Sequence, residues 1–163
     1  MSGATILVVD DEKNQRELLA GFLRDLGYTV HAAAGRAEAF RVLERERVDL
    51  VLSDYTLGDG TGADILEHIR RTNPLVQFVL FTAYGSVKRA VDFMKQGAAD
   101  YLAKPLDLDE LEVKVRKIVQ QKTVLEENKA LRENLERRQE FANIHFQSRA
   151  MEEVVNVALR AAQ

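Results

Sequence analysis

Five short runs of β-forming residues alternate with helical patterns through the first two thirds of the chain. The runs lie at residues 6–9, 29–32, 50–53, 78–81 and 101–103. Three of them are apolar at nearly every position. Such runs predict strands that are covered on both faces, as in a parallel sheet between two layers of helices.

The segments between these runs predict amphipathic helices, because their apolar residues follow the i, i+3, i+4 spacing of a helix with one buried face. The predicted buried positions are Leu18, Leu19, Phe22, Leu23 and Leu26; Ala39, Phe40 and Leu43; Ile65, Leu66 and Ile69; and Val87, Ala90, Val91 and Met94. Gly27 and Gly97 follow the first and fourth helices, and glycine commonly ends a helix. Five strand–helix units predict an α/β fold, a (βα)5 doubly wound parallel sheet with right-handed crossovers.

The pattern changes after Pro105, because residues 106–140 contain neither glycine nor proline. Asp107 and Glu110 resemble a helix-capping pair, so a long helix is expected to begin here. Its first part carries an apolar stripe that could pack on the sheet as the fifth helix. The residues of this stripe are Leu111, Val115, Ile118 and Val119.

Residues 123–140 continue this helix with a different stripe. Val124, Asn128, Leu131 and Leu135 are spaced by four, three and four residues, the a/d spacing of a coiled coil. We expect a parallel two-stranded coiled coil in which Asn128 sets the register, and hence a homodimer formed through the linker and the fifth helix. The alternative is a lone amphipathic helix lying on its own domain.

Residues 141–163 carry a further helical stripe, but a segment of this length cannot form a core of its own. We therefore expect it to be the start of a further domain that has been cut off. The predicted organisation is a domain at residues 1–122, a helical linker at 123–140 and this tail at 141–163.

Composition narrows the class of protein. The chain is 46% hydrophobic and 30% charged, which is ordinary for a globular protein. Its net charge of −3 gives no basic excess, so no nucleic-acid contact is expected from this segment. The absence of cysteine excludes disulfides and thiolate chemistry. With no run resembling a signal peptide or a membrane span, we expect a cytoplasmic protein without a membrane partner.

Polar residues follow the apolar runs at four predicted strand ends. Asp10 and Asp11 follow the first strand, Asp54 the third, Thr82 the fourth and Lys104 the fifth. In the flavodoxin-like strand order 2-1-3-4-5 these four strands are neighbours, and their carboxyl ends meet at one crevice. Each residue alone has an ordinary explanation as a cap, a strand residue or an exposed lysine, so the prediction depends on all of them together.

Three carboxylates placed so close together need a cation, because two unit charges 4 Å apart repel by about 4 kcal/mol at an effective dielectric of 20. Oxygen ligands at a partly open site suit Mg²⁺, which binds one or two carboxylates together with a substrate phosphate. Lys104 offers a second positive charge and Thr82 a hydroxyl donor. Asp54 is left as the nucleophile of a phosphoryl transfer.

At these residues the sequence resembles the receiver domain of bacterial response regulators. The resemblance covers residues 4–122 and rests on the motifs ILVVDDE, VLSDYTLGDGTG, VLFTAYG and YLAKP, which follow the family's order and spacing. It implies transfer of a phosphoryl group to Asp54 from a phosphohistidine of a sensor histidine kinase. It also implies that Mg²⁺ is held by Asp11, Asp54 and the backbone carbonyl of Thr56, with Asp10 helping partly through water.

The same resemblance implies further roles around the acceptor. Thr82 and Lys104 are implied to be phosphate ligands, and the peptide before Pro105 is implied to be cis. Tyr101 is implied to be the aromatic residue whose ring reorients when Asp54 is phosphorylated. Thr56 and Tyr84 occupy positions at which the family tunes the lifetime of the phosphoryl group. Where the family often has proline, this chain has Gly58, so the loop at residues 58–62 is expected to be mobile.

The linker and tail resemble those of σ54-dependent enhancer-binding activators of the nitrogen-regulator C class. In that class an AAA+ ATPase follows, and its phosphate loop, G-x-x-x-x-G-K-[ST], does not occur in this chain. We therefore expect no enzyme activity beyond the receiver's own phosphorylation and dephosphorylation, and control of the dimer arrangement of a downstream ATPase.

Three alternatives stay open at this point. The receiver could serve a different output domain, or it could be a degenerate receiver that acts as a dimerisation adaptor. A phosphatase of the haloacid-dehalogenase type also uses Asp, Thr, Lys and Mg²⁺, but it needs a second Asp where Thr56 stands.

Overall fold

The computed structural model describes residues 3–83 and 87–161. Within them the chain forms two compact units, one ending at Gln121 and the other beginning at Lys122. Among the described residues, no helix has the length and apolar character needed to cross a membrane.

Seven strands are described in the first unit. They are β1 (Thr5–Val9), β2 (Thr29–Ala33), β3 (Leu50–Asp54), β4 (Thr56–Leu57), β5 (Gly60–Thr61), β6 (Gln77–Thr82) and β7 (Asp100–Ala103). Five of them form one parallel sheet in the order β2-β1-β3-β6-β7, and β4 and β5 form a separate antiparallel hairpin. Without the hairpin, this order is the predicted 2-1-3-4-5, so the flavodoxin-like fold is confirmed.

Five helices accompany the strands in the part of the chain that the structure describes. They are α1 (Lys13–Asp25), α2 (Arg36–Arg45), α3 (Gly62–Thr72), α4 (Val87–Lys95) and α5 (Leu108–Ala161). One hydrophobic cluster joins the sheet to α1 and the first part of α5, and a second joins it to α2, α3 and α4. The sheet therefore lies between two helical layers.

Strand β3 shows why the central strands are apolar throughout. Successive side chains of a strand point to opposite faces. Leu50 and Leu52 join the cluster that contains Leu19 of α1, whereas Val51 joins the cluster that contains Ile65 of α3. Every residue of β3 is buried, so the predicted coverage of both faces is confirmed.

Two predicted helix faces are partly wrong. Leu18 of α1 is 60% exposed, although Leu19 and Leu23 are buried as expected. In α4, Val91 and Met94 are exposed and Phe93 is the buried residue. The spacing of small and medium apolar residues did not fix the rotation of this short helix, and its aromatic side chain occupies the inward position.

Helix α5 begins where the sequence predicts. Asp107 Oδ1 accepts hydrogen bonds from the backbone N–H groups of Asp109 at 2.9 Å and Glu110 at 3.2 Å. Leu111, Val115 and Ile118 are buried, which confirms the fifth-helix stripe.

The second unit is helical from Lys122 to Ala161, and nearly all of its described side chains are exposed. The helix shows no break at residue 141, where the sequence predicts a new segment. The assignment of residues 1–122 to a receiver, 123–140 to a linker and 141–163 to the start of a further domain stays a prediction.

Candidate functional site

The register of the parallel strands brings the two buried aspartates to one edge of the sheet. Val9 of β1 pairs with Ser53 of β3, so the next residues, Asp10 and Asp54, are adjacent. Their side chains belong to residues that are 0% and 7% exposed, respectively. A carboxylate pair at the end of two buried strands is therefore a direct consequence of the sheet order.

The same register extends the site across β6 and β7. Asp54 pairs with Phe81, which places Thr82 one residue further along the edge. The backbone N–H of Lys104 donates to the carbonyl of Thr82 at 3.0 Å. Thr82 is buried, and Lys104 directly follows β7.

Asp10, Asp11 and Asp54 form an acidic cluster. Each offers one carboxylate oxygen, and these oxygens all lie within 4.8 Å of one another. Asp11 is exposed, so the cluster opens to solvent on one side. Carboxylate oxygens at a partly open site are the ligand type that Mg²⁺ uses in proteins.

Lys104 supplies a positive charge to the acidic cluster. Its Nζ lies 2.6 Å from Asp54 Oδ2 and 3.7 Å from Asp10 Oδ2. The same nitrogen is 5.5 Å from the centre of the Phe81 ring. The peptide between Lys104 and Pro105 is cis, as the family resemblance implies.

Asp10 is the most constrained member of the acidic cluster. Burial raises the pKa of its carboxyl group above the ordinary value, and the nearby charges of Asp54 and Asp11 raise it further. A hydrogen bond from the backbone of Glu12 and the charge of Lys104 oppose these effects. Oδ1 accepts the Glu12 bond at 2.8 Å, but the buried Oδ2 has no hydrogen-bond partner among the described residues. A bound cation would satisfy that oxygen, so the acidic cluster fits a metal ion.

The chain immediately after Asp54 is held by backbone hydrogen bonds. The N–H of Thr56 donates to Asp54 Oδ1 at 3.3 Å, and the N–H of Tyr55 donates to the carbonyl of Phe81 at 3.0 Å. Gly62 then donates to the Tyr55 carbonyl at 2.8 Å. Thr56 is thus placed beside the Asp54 carboxylate.

Comparison with known proteins identifies this arrangement. Residues 6–116 match the family described as the response regulator receiver domain. The chain belongs to the response regulator receiver family.

Two curated relatives and one solved structure illustrate the similarity. The response regulator protein PilR of Pseudomonas aeruginosa is 40% identical over 111 residues, which are 68% of this chain and 25% of PilR. The alginate biosynthesis transcriptional regulatory protein AlgB of the same species is 34% identical over 157 residues, covering 96% of this chain and 34% of AlgB. The chain thus spans about a quarter to a third of these relatives.

The solved structure is that of the beryllofluoride-activated NtrC4 receiver domain dimer. It superposes with a TM-score of 0.69 at 26% identity and covers 72% of this chain and 98% of that one. The fold and strand order described above are therefore those of a two-component receiver.

The resemblance assigns roles to two aromatic residues, Tyr101 and Tyr84, and the structure describes only the first of them. Tyr101 of this receiver is partly buried, packs against the core cluster of α2, α3 and α4, and has a buried hydroxyl group. Tyr84 lies outside the described residues. The roles of both, and of the site residues above, stay predictions.

The segment after Asp54 forms the hairpin of β4 and β5, in which Thr56 pairs with Thr61. These two strands were not predicted from the sequence, and the mobility expected at residues 58–62 stays a prediction. Thr61 then caps α3 in a reciprocal pair of hydrogen bonds with Asp64. The T-x-x-D spacing of such a capping box was the available signal for this helix start.

Sequence reasoning also assigned no role to Asp59, at the tip of this hairpin. Its carboxylate accepts hydrogen bonds from two backbone N–H groups of α2. Partners 22 and 23 residues away along the chain leave no local pattern from which the contact could be inferred.

Proposed function

We propose that this receiver accepts a phosphoryl group on Asp54 from the phosphohistidine of a sensor histidine kinase. A carboxylate oxygen of Asp54 attacks phosphorus and forms an acyl phosphate. The phosphorus–nitrogen bond breaks, and its electron pair stays on the imidazole, which takes up a proton. The observation that carries the proposal is the convergence of three carboxylates and the Lys104 ammonium group at one edge of the sheet.

The acidic cluster is proposed to hold Mg²⁺ through Asp11, Asp54 and the backbone carbonyl of Thr56, with Asp10 assisting partly through water. Two observations support this set: Asp10 Oδ2 has no hydrogen-bond partner among the described residues, and the three carboxylates lie close together. When bound, the ion offsets the repulsion between the carboxylates and the incoming phosphoryl oxygens.

Lys104 and Thr82 are proposed to bind the phosphoryl group. The Lys104 ammonium group already contacts the acceptor carboxylate and can neutralise one phosphoryl oxygen, while the Thr82 hydroxyl group can donate a hydrogen bond to another. In phosphoryl transfer such positioning and charge stabilisation supply most of the catalysis.

Intact mass after incubation with acetyl phosphate and Mg²⁺ tests the acceptor. The wild type is expected to gain the mass of one phosphoryl group, and Asp54→Asn is expected to gain none, because an amide cannot form the acyl phosphate. Asp25→Asn, an exposed aspartate on α1, is the matched control and should behave as the wild type does. A wild type that gains no mass under rapid acid quench would argue for the degenerate receiver instead.

We further propose that the second unit forms a parallel two-stranded coiled coil and that the receiver pair controls a σ54-dependent activator. Val124, Leu131 and Leu135 are more than half exposed on this helix, so their burial against a second copy would stabilise a dimer. The activated NtrC4 receiver is a dimer in its own structure, and AlgB is a transcriptional regulator. Both support this output.

Sedimentation equilibrium tests the coiled coil. We expect wild-type protein to be a dimer and Leu131→Asp to shift it to monomer, because a charge at a coiled-coil core position is not accommodated. Leu125→Asp is the control, since Leu125 is equally exposed but lies off the predicted seam. A monomeric wild type would favour the lone amphipathic helix, and equal effects of the two substitutions would rule out the predicted seam.

A further inference from the structure

The carboxylate of Asp59 joins the β4–β5 hairpin to the start of helix α2. Oδ1 accepts a hydrogen bond from the backbone N–H of Arg36 at 2.7 Å, and Oδ2 accepts one from Ala37 at 2.9 Å. The residue at the N-cap of α2 is Gly35, which has no side chain with which to cap the helix. Asp59 therefore supplies from another segment the cap that α2 lacks. We call this contact the Asp59 clamp.

The surroundings of the Asp59 clamp are shaped to receive it. A Cβ atom at Gly35 would lie 2.6 Å from Asp59 Oδ1, so any larger residue there would push the carboxylate out of this position. Arg36 also contacts helix α3, which directly follows the hairpin, with its Nη1 atom 3.2 Å from Asp64 Oδ2. Backbone hydrogen bonds from Ala37 and Arg36 lower the pKa of Asp59, so the clamp is charged at neutral pH.

The clamped hairpin borders the acidic cluster. Its first strand, β4, begins at Thr56, whose N–H donates to Asp54 Oδ1. A Cβ atom placed on Gly58, in the turn, would lie 4.0 Å from Asp11 Oδ2. Asp59 is thus the next residue after Gly58, which lies close to Asp11, a predicted metal ligand.

We propose that Asp59 is a positioning residue that holds the β4–β5 hairpin, and with it Thr56, in place at the acidic cluster. This inference rests on the proposed magnesium-dependent function. The segment contains glycines at positions 58, 60 and 62, which give it many conformations when it is released. In the clamped protein, the contact with α2 already orders the hairpin. Cation binding therefore does not have to supply the free energy of ordering it.

Magnesium titration of the full chain, followed by backbone amide chemical shifts, tests the proposal. Asp59→Ala is expected to raise the half-saturating Mg²⁺ concentration about tenfold, as loss of a group that orients a metal ligand commonly does. Gly35→Ala should also raise the half-saturating Mg²⁺ concentration, because the added Cβ on the α2 side of the contact displaces the Asp59 carboxylate. Asp59→Asn should give a smaller rise than Asp59→Ala, because its one amide oxygen can replace only one of the two carboxylate oxygens that accept the N–H groups of Arg36 and Ala37.

Glu38→Ala is the matched control. Glu38 Oε2 accepts the N–H of Ala34 at 2.7 Å, so its loss loosens the same end of α2 without releasing the hairpin. We expect its Mg²⁺ half-saturation to stay within about twofold of wild type, because it shares no partner with Asp59. An unchanged affinity in Asp59→Ala, or an equal loss in Glu38→Ala, would overturn the proposal.

Hydrogen exchange without metal separates this inference from the proposed function. In magnesium-free protein, the hairpin amides of Asp59→Ala are expected to exchange about tenfold faster than those of wild type, because the segment opens more often. Glu38→Ala should retain the wild-type hairpin rates, and Asp59→Asn should fall between wild type and Asp59→Ala. If wild-type protein fails to bind Mg²⁺, the proposed function fails, whereas unchanged hairpin exchange in Asp59→Ala refutes the clamp itself.

Discussion

Replacement of Lys104 by methionine is expected to lower the free energy of unfolding of magnesium-free protein by about 3 kcal/mol, the order of cost for removing one partner of a buried ion pair. Methionine keeps the length of the side chain but removes the ammonium group that lies 2.6 Å from Asp54 and 3.7 Å from Asp10. The lysine side chain is only 18% exposed, so solvent screens the lost attraction weakly. Urea unfolding in the presence of EDTA measures the loss.

Magnesium should recover much of this lost stability, because a bound cation replaces the missing charge. Lys114→Met is the matched control: Lys114 Nζ lies 3.1 Å from Asp100 and 3.3 Å from Glu110, outside the acidic cluster. We expect it to cost about 1 kcal/mol, with no dependence on magnesium, because the side chains of Asp100 and Glu110 are 35% and 54% exposed and solvent screens their attraction to the lysine. If magnesium rescued both variants equally, Lys104 would have no special relation to the acidic cluster.

The sheet could be predicted from the sequence because burial on both faces leaves an unambiguous signal. The runs around Leu52 and Leu80 are apolar at consecutive positions, and no amphipathic element produces that pattern. Once the strand order is assumed, the convergence of Asp10, Asp54 and Lys104 follows, because parallel strands end at the same edge.

The rotation of the shorter helices could not be predicted in the same way. In α4 the apolar residues Ala90, Val91, Phe93 and Met94 are nearly contiguous, so two adjacent faces satisfy the helical spacing. Phe93 faces inward because its ring meets the Tyr55 ring edge-on, with 5.5 Å between centroids. That contact depends on tertiary structure.

The Asp59 clamp shows a second limit of sequence reasoning. The glycines at positions 58, 60 and 62 indicate a flexible loop when they are considered locally. The hydrogen bonds to Arg36 and Ala37 that hold this segment come from a helix that precedes it by more than twenty residues. Propensity describes the freedom of a segment, whereas its partners in the fold determine its conformation.

Replacement of Asp10 by asparagine is expected to have the opposite effect to that of Lys104→Met and to stabilise magnesium-free protein by about 1–3 kcal/mol. Two carboxylates whose oxygens lie within 4.8 Å of each other repel by roughly 3 kcal/mol or more at an effective dielectric of 20, and the lost attraction to Lys104 offsets part of that relief. Asparagine can still accept the Glu12 hydrogen bond through Oδ1.

The pH dependence of stability also indicates that the charged form of Asp10 destabilises the magnesium-free protein. Burial raises the pKa of Asp10 in the folded state, so folding favours the protonated form, and the charged form at neutral pH reduces stability. Magnesium-free wild type should therefore gain stability from this group as the pH falls through its raised folded-state pKa, until the pH is below the unfolded-state value. Asp10→Asn should lack that gain.

Magnesium should reverse the ranking of wild type and Asp10→Asn. A ligand at a hundredfold excess over its dissociation constant stabilises the folded state by about 2.7 kcal/mol, and the wild type should show this gain. Asp10→Asn should gain much less, because it lacks the buried charge that favours the cation. Thermal unfolding of wild type and Asp10→Asn, each with EDTA and with Mg²⁺, measures the four stabilities. Asp25→Asn is the control that should follow wild type. A variant that is less stable without metal, yet gains as much from magnesium as wild type, would show that the Asp10 carboxylate neither destabilises the metal-free protein nor binds the cation. In that case the raised pKa of this carboxyl group would have no connection with cation binding.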